Sequence, residues 1–282
     1  VAADNIYNPF GVEVIDLRRR MLELPARRQQ NKSDVSRFTG ILDGLHQGWS
    51  WEFAYNFSRS KAKESLNGLI NAENLRRGVG PADNCQGAST DGCVPINLFG
   101  PSGSVGTQQL DYLRIAGKVK GESELVVYSL NATRSLWELP YGPVDFAFGL
   151  EYRDESTEKR PSNLISGLGT IGGTNFEPTS GNREVREIYG ESITPVWHSV
   201  DKQQKLDIEA AIRWSDYSDF GTTTNPKIGL RYQATSQWLL RATYSEGFRA
   251  PTLNELYQGA SEDQAFISDP CILPENVGVL TG

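Results

Sequence analysis

The sequence predicts an all-β chain, an antiparallel transmembrane β-barrel with long loops at one end. Three observations carry this reading. Apolar and polar residues alternate with period 2 over segments of about ten residues. The connections between those segments alternate between short and long. No apolar run approaches the roughly 20 residues that a membrane-crossing helix requires. Composition is compatible but undecided: 38% hydrophobic residues and a net charge of −7 over 282 residues would equally suit a large soluble domain. An outer-membrane strand keeps hydropathy low because every second side chain faces a wet lumen. The acidic balance argues against a nucleic-acid partner, since phosphate binding needs a basic surface.

Taken in order, about nine strands are expected, at roughly 12–22, 36–45, 49–60, 113–138, 144–158, 185–196, 204–218, 226–234 and 238–248. The first, around Val12–Leu17, alternates poorly and runs into Arg18-Arg19-Arg20. In the third, Trp49, Trp51, Phe53, Tyr55 and Phe57 alternate with Ser50, Glu52, Ala54, Asn56 and Ser58. The segment 113–138 is too long for one regular strand, which predicts a bulge near Gly121. In the fifth, Val144, Phe146, Phe148, Leu150 and Tyr152 oppose Asp145, Ala147, Gly149, Glu151 and Arg153. In the seventh, Leu206, Ile208, Ala210, Ile212 and Trp214 oppose Lys205, Asp207, Glu209, Ala211 and Arg213. Parity therefore places Phe146, Phe148, Ile208 and Ile212 toward lipid, and Glu151, Asp207 and Arg213 toward the lumen.

Periodicity alone would also fit a soluble sandwich with aromatics inside and charges outside. Connection lengths favour the barrel. Leu45–Gly48, Pro140–Pro143 and Ala234–Gln237 are tight and Trp197–Gln203 is somewhat longer. Ser60–Tyr112, Lys159–Glu184 and the stretch after Phe248 are long, and Tyr217–Asn225 is modest. Tight periplasmic turns and long extracellular loops alternate in this way, whereas long structureless loops are uncommon in compact soluble domains. Within the first long loop, Ser65 as N-cap and apolar residues 66, 69 and 70 predict a short helix over 65–77, read as a hydrophobic tuck that keeps the loop folded in preference to part of a ligand-capturing lid.

The stretch from Tyr244 to Tyr257 holds Phe248, Arg249, Ala250 and Pro251, followed by Glu255, Leu256 and Tyr257. Proline at 251 removes a ladder donor and holds Ala250 extended, so the strand must leave the sheet there. This wording resembles a signature of TonB-dependent outer-membrane receptors, found at the lip of the barrel. Asn8-Pro9-Phe10-Gly11, Cys93 to Gly100, Leu139 to Pro143, Gly149 to Arg153, Arg213 to Ser218 and Pro226 to Gly229 resemble the same family, in family order, over most of 8–257. The resemblance implies a 22-stranded barrel closed around a plug, of which this chain would be the middle. The plug, the N-terminal TonB box and the final strands would lie outside it. It implies a receptor of the bacterial outer membrane that takes up a scarce nutrient such as a ferric siderophore, cobalamin or an oligosaccharide. The partners would be the TonB complex, membrane lipid and lipopolysaccharide. The alternatives are a soluble β-rich carbohydrate-binding or adhesive domain and a passive porin. Arg249 is expected at the inner barrel wall near the lip, with Glu255 the nearest candidate partner, in a structural role.

Cys85 and Cys93 lie in a Gly- and Asp-rich loop with seven residues between them, a spacing that closes a disulfide in an oxidising compartment. A metal pair is the rival reading, but Asp83 and Asp91 are poor zinc partners. Cys271 is left without a mate, which points to a partner outside the chain. Gly167 to Gly172 satisfies the G-x-G-x-x-G pattern, yet Pro161 before it and Pro178 after it leave no strand–helix context, so it reads as a loop. His46 and His198 fall in turns at one end. Glu187 with Glu191, or Asp207 with Glu209, could be carboxylate pairs for glycoside cleavage. They are expected instead to line the lumen and meet Lys205, Arg213 or Lys227. No enzymatic constellation, metal site or cofactor is expected.

Overall fold

The computed structural model describes residues 1–85, 92–167, 169–199 and 203–262. Its strands are β1 (Arg28–His46), β2 (Trp49–Asn71), β3 (Arg114–Leu139), β4 (Gly142–Pro161), β5 (Thr170–Ile171), β6 (Thr179–Ser199), β7 (Gln204–Tyr217), β8 (Gly221–Gln233) and β9 (Leu239–Ser245). They form one sheet in the order β1-β2-β3-β4-β6-β7-β8-β9, each neighbour antiparallel, with β5 paired to β2. Among the described residues the sheet is open: β1 and β9 each have a single neighbour. This is a segment of an antiparallel β-barrel wall.

β1, β2 and β6 run well past their expected bounds, whereas β3 keeps its expected length and β9 is shorter, at 7 residues. β2 has 23 residues and β3 has 26, whereas a transmembrane strand needs only about 9–11. The alternation continues past the apolar band as charge facing charge, which the period-2 apolar signal does not register. The expected bulge at Gly121 is absent, since Gly121 pairs regularly with Ala62 and Lys159. The irregularities lie between Leu66 and Leu69, between Ser135 and Trp137, and between Pro195 and Trp197. The first coincides with Gly68, whose φ of +76° suits glycine and whose missing Cβ makes room for the Pro25 and Ala26 carbonyls.

Two expected elements are corrected. Residues 12–22 form no strand. That segment stays out of the sheet because the Arg19 guanidinium is bonded to Leu98 O (3.2 Å), Pro101 O (3.1 Å), Gly100 O and Glu23. The helix expected over 65–77 is shorter and later: α1 (Ala72–Gly78), capped by Asn71 accepting from Asn74 N at 3.1 Å, with Ser65 still inside β2. Short helices α2 (Thr107–Leu113), α3 (Asn163–Ser166) and α4 (Leu253–Tyr257) occupy the other long connections.

The two faces separate as the parity requires. In register across the sheet, one face carries Trp51, Phe53, Tyr55, then Tyr128 and Leu130, then Phe148, Leu150 and Tyr152, then Ile188, Ile212 and Trp214, then Ile228 and Leu240. Phe38, Tyr55, Tyr128 and Tyr152 form a ladder with ring centroids 5.1–6.3 Å apart. The opposite face carries Glu151, Glu187, Asp207, Arg213 and Ser215. The burial is inverted relative to a soluble fold. Ile212 and Ile228 are 54% and 56% exposed, while Asp207, Glu187 and Ser215 are only 4%, 8% and 2% exposed. Polar groups are enclosed and apolar ones bared, as a membrane barrel demands.

Candidate functional site

The enclosed wall is held by ion pairs and hydrogen bonds between adjacent strands. Glu187 accepts from Arg213 Nη1 at 3.1 Å and from Ser215 Oγ at 2.6 Å. Lys227 Nζ bridges Glu191 (3.6 Å) and Glu209 (3.7 Å) across β6, β7 and β8, and within β7 Lys205 meets Asp207 at 3.3 Å. These carboxylates are engaged with the cations expected of them. Tyr189 crosses over Gly149, where a Cβ would stand 2.1 Å from the ring, and donates to Asn131 at 2.5 Å. His46 and His198 lie near strand ends, at the tight-turn end.

The long-loop end is built differently. The N-terminal segment folds over the first long loop. Asn5, buried, donates to Gly80 O at 2.8 Å and Gly78 O at 3.2 Å, and Phe10 meets Phe99 edge-on at 5.7 Å. Two of the segments singled out in the sequence, around Asn8-Pro9-Phe10-Gly11 and Cys93–Gly100, are thus packed together. Glu23 accepts from the Gly103 amide at 2.8 Å, and backbone amides together with Arg19 hold its carboxyl below the usual carboxylate range. Cys85 and Cys93 are joined by a disulfide. Cys271 lies outside the described residues.

The lip follows β9. Phe248 packs on Phe220 at 5.4 Å and on Tyr217 at 6.1 Å, and those two rings stack at 4.4 Å. Beneath them Arg183, 3% exposed, donates to Asp219 Oδ2 at 2.8 Å and to Pro251 O at 2.6 Å. Its guanidinium also lies 5.8 Å from the centroids of Tyr217 and Phe220. Arg183 therefore ties the turn after β7 to the Phe248–Pro251 break. Arg249 pairs with Glu255 at 2.6 Å, and its side chain is 72% exposed. β9 ends at Ser245, four residues before Arg249. Leu256 is exposed, and Tyr257 lies over Gly181, where a Cβ would stand 2.3 Å from the ring.

α4 begins with a reciprocal cap. Thr252 Oγ1 accepts from Glu255 N at 3.2 Å, while Glu255 accepts from Thr252 N at 2.6 Å. The bonds from the Thr252 backbone and then from Arg249 depress the Glu255 carboxyl to about 2. Past α4 the chain runs beside the loop after β5. Phe176 bridges Ser261, and Glu177 N donates to Ala260 O at 2.8 Å.

Between these parts opens a cleft of about 1130 Å³. Its lining mixes Arg27, Gln29, Asn67, Lys159, Phe176 and Gln258, with Lys159 Nζ 4.1 Å over the Phe176 ring. Part of the G-x-G-x-x-G stretch borders it through Gly172, while Thr170–Ile171 form β5 and Leu168 lies outside the described residues. Sequence reading missed Arg183 and Asp219, since one arginine and one aspartate 36 positions apart form no local pattern. The only available signal was Arg183's lumen-side parity with Glu187. Compared with protein-family models, residues 6–275 match "TonB dependent receptor-like, beta-barrel". Comparisons with curated proteins and with solved structures gave no match.

Proposed function

Because the chain belongs to the TonB-dependent receptor-like β-barrel family, a family of outer-membrane receptors and transporters, we propose that it forms the wall and outer mouth of an importer for one scarce small nutrient, driven through TonB. The observation that carries this reading is the family match over a wall whose enclosed face is polar and whose outer face is apolar. An importer needs a capture site on the outer side, and the cleft among the long loops offers one. Gln29, Asn67, Lys159, Phe176, Asn254 and Gln258 are the proposed ligand contacts. Their mixture of amides, one cation and one ring suits a polar ligand with an exposed face for stacking.

The protein expressed from its complete gene provides the test. Cells with and without it are grown on limiting ferric siderophore, cobalamin or oligosaccharide, each with and without TonB. Loss of uptake of one nutrient, reproduced by deleting TonB, is the expected result. Uptake that survives TonB deletion would make the protein a passive pore.

A further inference from the structure

Two glycines from separate segments make room for one arginine at the edge of the cleft. A Cβ on Gly68 would stand 3.0 Å from Arg27 Cα, and a Cβ on Gly172 would stand 2.6 Å from the carbon of the Arg27 guanidinium. Both glycines have positive φ, +76° and +92°, a conformation that any other residue adopts only under strain. Arg27 is thereby hemmed in at its backbone and at its head group. Yet its side chain forms no ion pair or hydrogen bond among the described residues. A guanidinium carries five N–H donors in a fixed fork, and here the fork is held in place without an acceptor.

Lys159 borders the same cleft. Its Nζ lies 4.1 Å over the Phe176 ring and likewise forms no ion pair among the described residues. Lys159 shares the parity of Glu151 and Arg153 on β4, so it stands on the enclosed side of the wall, away from lipid. The carboxylates of the lining are differently employed. Glu64 accepts from Gln29 Nε2 at 2.6 Å, Glu262 from Asn175 Nδ2 at 2.6 Å, and Glu177 from the Ala260 amide at 3.4 Å. The acidic groups close the rim, while the two cations keep their donors for something else. A fixed guanidinium fork matches a planar carboxylate in two parallel bonds, and an ammonium takes a second anionic group as a point charge.

We propose that the cleft takes a ligand carrying two or more carboxylate groups, one gripped by the Arg27 fork and a second by Lys159. The proposal rests on the importer reading and narrows its ligand from polar to polyanionic. The protein from its complete gene, in neutral detergent, is titrated with two charged probes, ferric citrate and a short oligogalacturonate, and with the methyl ester of the latter, which keeps the skeleton and loses the charge. One charged probe should bind, and its affinity should fall as salt rises; which one it is tells a metal chelate from an acidic sugar. Arg27→Gln and Lys159→Gln should each weaken that binding about tenfold, and about a hundredfold together. Gly172→Ala keeps the charge but pushes the guanidinium aside, so it should weaken binding about as much as Arg27→Gln. Lys120→Gln, on the opposite face of the wall, should change nothing. Binding of neither charged probe, an ester bound as tightly as the acid, or affinity unchanged in the Arg27 and Lys159 variants would overturn the site. Full displacement by inorganic phosphate would overturn it too, as a site for a single small anion. Charge-dependent binding in a protein whose uptake survives TonB deletion would strike instead at the importer reading and leave the site standing.

Discussion

Arg183→Met tests how the lip is held. Arg183 and Asp219 are 4% and 5% exposed at their side chains, and Asp219 Oδ1 already has no hydrogen-bond partner among the described residues. Removing the guanidinium leaves that carboxylate buried and unpaired and strips the Pro251 carbonyl of its donor. Losing one partner of a buried pair costs about 3–5 kcal/mol. β6 keeps its ladders with β4 and β7 on both sides, so the cost should fall on docking of the lip and not on the wall. At 1.4 kcal/mol per tenfold, amide exchange across residues 250–258 should accelerate by roughly two to three and a half powers of ten, while exchange in β6 and β7 stays slow. Arg183→Met combined with Asp219→Leu removes both charges and should recover most of the loss, because the penalty comes from the stranded ion. Hydrogen exchange with peptide-level resolution on the whole receptor reads all three variants. A lip that exchanges normally in Arg183→Met, or a double variant as open as the single one, would refute the latch.

Three further outcomes are expected. Phe148→Arg on the apolar face should cost roughly 2–4 kcal/mol of barrel stability in lipid, against far less for Glu151→Arg on the enclosed face; equal losses in a refolding titration would contradict the face assignment. The Glu255 carboxyl is depressed from 4.5 to about 2, so its contribution to the α4 cap is complete above pH 4.5 and fades as pH falls toward 2. Exchange of the Glu255 and Leu256 amides should rise across that window and become pH-independent in Glu255→Gln, apart from the intrinsic exchange rate. Replacing both Cys85 and Cys93 by serine should loosen the loop around α1 by roughly 2–3 kcal/mol, from the closure entropy of so short a ring. Limited proteolysis and non-reducing mass spectrometry check this, and protease resistance equal to wild type would count against a stabilising bridge.

The wall was legible in the sequence because a strand's side-chain period is a local property. Val144 to Arg153 and Gln204 to Trp214 name their own faces, and a barrel needs only that those faces stay in register. Ends were less legible, for a physical reason. Past Phe57 the outward residues become Arg59, Lys61 and Lys63, so apolar alternation vanishes although the ladder to β1 continues up to Arg28 and Asn67. The stretch 12–22 failed in the opposite direction. Its weak alternation at Val12, Val14 and Leu17 imitates a strand, but nothing local reveals that Arg19 bonds to carbonyls some eighty positions away.

The loop end illustrates the same limit and explains why the lip motif reads more clearly than the residues that anchor it. Pro251, Thr252 and Glu255 are neighbours, and their capping geometry follows from spacing alone. Arg183 and Phe220 reach the lip only because β6 and β7 are antiparallel partners that bring Val185 opposite Tyr217. That pairing places the turn at Ser218–Phe220 beside the start of β6, and Arg183 then faces both Asp219 and the chain leaving β9. Exposed Arg249 can exchange partners with solvent at little cost, whereas buried Arg183 cannot. Arg183, outside the motif, is thus the buried residue that joins the lip to the wall.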